Sequence, residues 1–355
     1  MDIFPGITNV KALTTIKRER LLSRPGEVTM RIGQQVTPVQ IIARTMAPPR
    51  YMILNASRVL GVPPEDVSRY LLIEEGASLN KGTPVMRKPA SFGRGKVYNS
   101  PVEGILYHIY NGRLVLQLPS EAVELRAMVR GYVNNVIAHR GVGLEINGTL
   151  IQAIWGSGKE SVGRLKMGSQ DEKSEFAAAT LDKESHGTII FAGFLKDKSS
   201  LDILDQNGVK GLIVGSMSAE LCAAANQYTY PVILTDGIGA TGMTQPIFNL
   251  LQEALGQEAS LFAQANLSTG QRPEIIIPLP ATVNPTPMAQ PGTKLALGQT
   301  VRIIRAPYTG QVGKVSRLYE RAKSTNLGTR IAGADVTLRD GQVVYVPYTN
   351  MDLLS

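Results

Sequence analysis

The chain has 355 residues, 43% hydrophobic and 19% charged, with a single cysteine. That size and composition fit several packed domains and exclude long disorder, and one cysteine excludes an intramolecular disulfide and any multi-cysteine metal site. The net charge of +8 favours polyanions through long-range attraction, yet the basic residues are scattered along the chain rather than massed in one tract.

Residues 1–24 read as a short lead. Its cluster Lys17-Arg18-Glu19-Arg20 predicts a solvated helix end, because isolated charge runs usually face water. The start, Met1-Asp2-Ile3-Phe4-Pro5, lacks the basic-then-apolar order of an export signal, and no apolar run reaches the ~18 residues needed to span a bilayer. The expectation is a cytoplasmic protein without membrane insertion. From Arg24-Pro25-Gly26-Glu27-Val28 to Ile41-Ile42-Ala43-Arg44 short apolar runs are closed by turn residues, the pattern of strands joined by tight turns. Residues 53–72 carry a helical period, and Pro63-Pro64-Glu65-Asp66 marks a helix start, proline being tolerated in the first turn.

The stretch Gly76 to Leu118 is the densest in information. Thr83-Pro84-Val85-Met86, Val97-Tyr98, Ile105-Leu106-Tyr107 and Leu114-Val115-Leu116 read as strands, and Asn111-Gly112 is a hairpin signal because both residues tolerate the positive φ of a type I′ turn. Its plan repeats that of residues 25–46, which predicts one composite β domain over residues 25–167 with the 53–72 helix inserted. Val129-Arg130-Gly131-Tyr132-Val133 and Gly141 to Ile146 complete it. Glu75-Gly76, the turn Lys81-Gly82 and Ser100-Pro101-Val102-Glu103-Gly104 resemble the barrel-sandwich hybrid fold of biotinyl and lipoyl carrier domains and related non-carrier modules. A carrier domain displays a lysine at its hairpin tip. Here the tip is Tyr110-Asn111-Gly112-Arg113, so the resemblance implies the fold and argues against a bound cofactor.

Trp155-Gly156-Ser157-Gly158-Lys159-Glu160-Ser161 invites a phosphate-loop reading that fails on spacing: Ala153 stands where the first glycine belongs, and Glu160 where Ser or Thr must follow the lysine. A glycine-rich exit loop is expected instead, with Trp155 packed against the β domain. Residues 168–186 are polar and read as a linker.

Over 187–271 the texture changes to alternating strand and helix, with strands at Gly187–Ala192, Gly211–Gly215 and Val232–Thr235 and helices at Ser200–Asn207, Ala219–Gln227 and Pro246–Leu255. This predicts a small parallel or mixed sheet covered by helices, in which ligands sit at the carboxyl ends of the strands. Gly237, Gly239 and Gly242 there match the G-x-G-x-x-G spacing of a dinucleotide loop. The match is weakened because Pro246 starts the helix several residues later and no suitably placed acid follows. His108, His139 and His186 lie apart, Cys222 sits mid-helix as a small core residue, and no residue stands out as catalytic or as a metal ligand.

Residues 272–296 are proline-rich, including Pro278-Leu279-Pro280 and Pro285-Thr286-Pro287, and read as an extended linker. The last segment, 297–355, holds Gly298-Gln299-Thr300-Val301-Arg302-Ile303-Ile304, Gly310-Gln311-Val312-Gly313-Lys314-Val315 and Asp340-Gly341-Gln342-Val343-Val344-Tyr345-Val346-Pro347. It resembles the KOW family of SH3-like barrels found in transcription elongation factors and ribosomal proteins. Such modules bind RNA or protein, and Arg302, Arg305, Tyr308, Lys314 and Arg317, with Arg321, Lys323 and Arg330 beyond, supply cations and an aromatic platform.

The fold class expected is therefore multidomain α+β: a β-rich barrel-sandwich N-terminal part, a small α/β middle domain and a C-terminal SH3-like barrel. Three functions compete. The first is a non-enzymatic scaffold or adaptor making protein contacts, the second an RNA- or ribosome-associated factor acting through the C-terminal domain, and the third a nucleotide-dependent enzyme using residues 237–242. Homo-oligomerisation is compatible with a chain of small β modules.

Overall fold

The computed structural model describes residues 2–89, 95–266, 268–280, 292–325 and 328–355. Among them the chain is β-rich, with several sheets of which none closes on itself.

The spine is an eleven-stranded sheet. At one end Glu160–Met167, Thr188–Phe194, Gly211–Met217 and Val232–Ile238 run parallel. The two central strands, Thr188–Phe194 and Gly211–Met217, are almost wholly buried, as strands covered on both faces must be. Each helix follows a strand, as the alternation predicts. Asp197 caps Lys198–Gln206 by accepting from Ser200 N at 3.0 Å, and Ser218 caps Ala219–Ala225 by accepting from Leu221 N at 3.3 Å, each satisfying a donor that the first turn leaves free. Leu201, Leu204, Leu221 and Cys222 fill one face of the sheet. Ile247, Phe248 and Leu251 of the Gln245–Glu253 helix fill the other.

Two expectations next to this sheet are corrected. Residues 168–186, expected as a linker, are anchored to the sheet: Phe176 is buried in the Leu201 cluster, and its N–H donates to Phe194 O at 2.9 Å. Trp155 pairs with Leu234 and packs on that same cluster, away from the β domain.

The basic lead is also not a helix end. Val10–Leu21 is a twelve-residue strand paired antiparallel with Gly141–Gln152. Alternation turns Thr14, Ile16, Arg18 and Arg20 inward and Lys17 and Glu19 outward. The inward arginines find partners far along the chain. Arg18 lies 2.6 Å from Glu274 with its guanidinium 3.6 Å over the Phe262 ring, and Arg20 grips both Glu160 carboxylate oxygens at 2.7 Å. The proline-rich stretch begins with another central strand, Glu274–Pro278, which pairs with Gly141–Gln152 and Glu258–Phe262. Residues 281–291 of the expected linker lie outside the described residues.

The chain leaves this body through Ile41–Met46 and returns through Ala122–Arg126, which pair with each other, Thr45 opposite Val123. Between them residues 51–117 form a module with a core of its own, built on Leu60, Val67, Met86, Leu106 and Leu114. Its sheet runs Tyr51–Asn55, Arg113–Gln117, Gly104–Tyr110, Ser78–Leu79. Asn111 and Gly112 have φ of 47° and 68°, the turn their sequence predicts. The single composite barrel expected from the repeated pattern is corrected: the two halves lie in separate sheets with separate cores. The long 53–72 helix breaks up as well. Tyr51–Asn55 is a strand, Ala56–Leu60 a short α-helix, and Pro64–Tyr70 a 3₁₀ helix that starts at the predicted proline.

The C-terminal sheet has six strands, in the order Gly6–Thr8, Met351–Leu354, Thr300–Ile303, Val312–Leu318, Gly333–Leu338, Val343–Pro347. Its edge strand, parallel to Met351–Leu354, comes from the N-terminal lead. Both ends of the chain thus close the same sheet.

Candidate docking cleft on the C-terminal sheet

Arg302 decides how the C-terminal sheet sits on the spine. Expected at the surface, it is the largest fully buried side chain, 1% exposed. The reason is its strand position: in Thr300–Ile303 the residues 301–303 are all covered, Val301 and Ile303 by the sheet's own core and Arg302 by the neighbouring domain. Its Nη1 donates to Thr235 O at 2.9 Å and to Asp236 Oδ1 at 3.0 Å, and its Nη2 lies 3.3 Å from Asp352 Oδ2 and 3.4 Å from Thr8 Oγ1. Asp236 is held from its other side by Thr235 Oγ1 at 2.7 Å, Thr244 N at 2.9 Å and Thr244 Oγ1. One guanidinium therefore ties four segments together, and it is withdrawn from any surface role.

The other predicted cations separate. Arg305 and Tyr308 line an open cleft of about 510 Å³ with Ile331, Val343, Tyr345 and Pro347. Lys314 lines a different groove with Pro246, Thr300 and Arg339. Arg317 lies over the Tyr319 ring at 4.9 Å, with Lys323 Nζ over the same ring at 3.8 Å and over Tyr345 at 5.4 Å. The hydrogen bond to Tyr319 pushes the Lys323 ammonium pKa up. Tyr319 and Tyr345 meet edge to face at 5.8 Å, so Tyr345 joins this cationic rim to the cleft. Tyr345 is fixed by donating to Ile331 O at 2.5 Å, and Tyr319 by donating to Asp335 Oδ2 at 2.6 Å. Thr325 Oγ1, on the cleft wall, is buried and has no hydrogen-bond partner among the described residues. The sequence reading missed Tyr319 and Tyr345. Their alternation with buried neighbours in β-strand patterns was visible, but the convergence of two strands on one lysine was not.

The far end of the glycine loop, Thr241 to Thr244, lines a separate cleft of about 400 Å³ with Glu172, Gly310 and Arg339. Gly237 pairs with Ser216 at the end of its strand, and Gly239 and Gly242 follow. Four donors of the loop turn inward: Gly239 N to Met217 O at 3.0 Å, Thr241 N to Ser216 Oγ at 3.0 Å, Met243 N to Glu172 O at 2.7 Å, and Thr244 N to Asp236. Of the three glycines, Gly239 thus spends its amide inside the fold, and the other three bonds anchor residues 241–244. Elsewhere His108 Nδ1 sits 2.8 Å from Glu75 Oε1. Among the described residues no three His, Cys, Asp or Glu side chains gather as metal ligands, and no helix is long and apolar enough to cross a membrane.

A scan against protein-family models and a search of the curated proteins each find no match to this chain.

Proposed function

We propose that this chain is a non-enzymatic adaptor of the cytoplasm, in which the C-terminal cleft docks an extended segment of a partner protein. On this reading residues 51–117 are a barrel-sandwich-like module without a carrier lysine, and residues 297–355 a KOW-type SH3-like module. The observation that carries the proposal is the cleft itself. Its walls combine apolar Ile331, Val343 and Pro347 with Tyr308 and Tyr345 and end on Arg305, a mixture of aromatic anchors and sparse polar groups suited to peptide recognition. The Arg302 latch supports it by holding that cleft at a fixed orientation to the spine. A second reading, RNA in the same cleft, is favoured by the rim of Arg305, Arg317 and Lys323 beside tyrosine rings.

The test is a selection from a displayed peptide library on the immobilised full chain, repeated with Val343→Asp. Val343 is 58% exposed, so the fold tolerates the change. Peptides enriched on the wild type and lost on the variant support protein docking. Failure to enrich any peptide, with oligonucleotide binding that Arg305→Ala weakens, would transfer the cleft to RNA.

A further inference from the structure

The net positive charge is not spread evenly over the fold. Residues 51–117 hold eight Lys/Arg against five Asp/Glu, and residues 297–355 eight against four, which leaves the rest of the chain nearly balanced at twenty-one and twenty. Seven of the eight excess positive charges belong to the inserted module and the C-terminal segment. The module also leaves one face of its sheet uncovered among the described residues.

Pairing identifies that face. Tyr51 opposes Gln117, which opposes Ile105, and Ile53 opposes Val115, which opposes His108. Partners across an antiparallel sheet share a face. A register shift between Leu106 and His108 inserts Tyr107 as an extra residue, so Tyr107 and His108 both emerge on the outer side, while Leu106 and Leu114 stay in the core. Tyr110 and Arg113 follow at the hairpin end. The tyrosines are 46%, 56% and 70% exposed at positions 51, 107 and 110. Tyr51 and Tyr107 touch, with ring centroids 5.2 Å apart, and His108 lies nearly parallel to Tyr110 at 6.4 Å. Glu75 Oε1 fixes the strand between these pairs by accepting from Ile109 N at 2.6 Å.

We propose that this face binds single-stranded RNA, with bases stacked on Tyr51, Tyr107 and Tyr110 and backbone phosphate drawn to Arg113. Here Arg113 stands opposite Tyr110 and Gln117 opposite Tyr51, on a module that carries three of the chain's eight excess positive charges. Exposed rings on an antiparallel sheet, spaced along the strands and backed by cations, are what stacked bases and phosphates require. Gln117, beside Tyr51, offers an amide to a ribose 2′-hydroxyl, which selects RNA over DNA. The site is separate from the C-terminal cleft.

The test is fluorescence anisotropy of labelled oligouridine with the full chain over a salt series, with oligothymidine as the comparison. Affinity should fall with salt. Tyr107→Ala/Tyr110→Ala should weaken binding by at least roughly tenfold, since each base–ring stack contributes about fivefold to a hundredfold. Tyr107→Phe/Tyr110→Phe should bind as the wild type does, because the ring and not the hydroxyl stacks. Arg113→Gln should lower the slope of log affinity against log salt by about 0.7, and Val343→Asp should change nothing. The proposal is overturned if no RNA binds at low salt, if the alanine pair binds like the wild type, or if oligothymidine binds equally well. Self-association of the chain that Tyr110→Ala abolishes, with no RNA binding, would make the face a protein contact and overturn it too.

Discussion

Replacing Arg302 by methionine should loosen the C-terminal sheet from the spine without unfolding the inserted module. The side chains of Arg302 and Asp236 are 1% and 4% exposed, so the substitution leaves a buried carboxylate without its cation. Removing one member of a buried pair costs about 3–5 kcal/mol. Asp236 retains its bonds from Thr235 and Thr244, and Asp352 retains Thr8 Oγ1 at 3.3 Å, which places the loss at the lower end, about 3 kcal/mol. Native-state hydrogen exchange read by mass spectrometry is the suitable assay, because a chain of several cores need not unfold in one step. Protection in Gly6–Thr8, Thr300–Ile303 and Met351–Leu354 should fall roughly a hundredfold, since 1.4 kcal/mol is about a factor of ten, while Tyr51–Gln117 keeps its own. Asp236→Asn in the same chain should restore about half of the loss, because it removes the stranded charge. Unchanged protection in the three strands, or equal loss in the inserted module, would refute the latch. So would a double variant in which the two losses simply add.

Other consequences are more local. Gly112→Ala should weaken the inserted module alone, by at least about 1–3 kcal/mol for a non-glycine residue held at positive φ; a Cβ there would also come within 2.9 Å of Pro64 Cα. Limited proteolysis should then cut within residues 51–117 while Trp155 fluorescence stays native. Cys222 is buried, and burial pushes its thiol pKa up, so an aromatic disulfide reagent should react with the native chain far more slowly than with the denatured one. Burial, aided by the hydrogen bond to Asp202, pushes Tyr228 up to about 12, and burial pushes Tyr230 higher still. Folding favours the protonated phenol, so this contribution is complete below the ordinary tyrosine range near pH 10 and is lost as pH rises through about 12. Ultraviolet titration should show these two rings ionising after the exposed tyrosines, and Tyr228→Phe should remove one late transition.

The α/β alternation was legible because its signals are local: apolar runs of strand length, helical runs between them, and Pro246 near a helix start. The Asn111-Gly112 turn was legible for the same reason. What escaped depended on distant partners. The Val10–Leu21 strand buries Arg18 and Arg20, which looked like solvated charges until Glu274, Glu160 and Phe262 were brought beneath them from more than a hundred residues away. Glu274–Pro278 was hidden by the prolines at 273 and 278, although its Ile275-Ile276-Ile277 core is entirely buried. Arg302 resembled its neighbour Arg305 in sequence. Only the docking of Thr235, Asp236 and the N-terminal strand onto its strand separates a buried tie from a surface cation. The Tyr51–Tyr107–Tyr110 face required the cross-strand register and the extra residue at Tyr107, neither of which local pattern reveals.

The adaptor account requires two ligands to be held at once on separate modules. The most direct measurement immobilises a peptide selected on the C-terminal cleft, loads the full chain, and then adds labelled oligouridine. The account predicts that RNA is captured in equal amount to the chain, with the affinity seen in solution, and that Val343→Asp prevents capture by releasing the chain from the peptide. RNA that displaces the chain from the peptide, or fails to bind while the peptide is held, would contradict it.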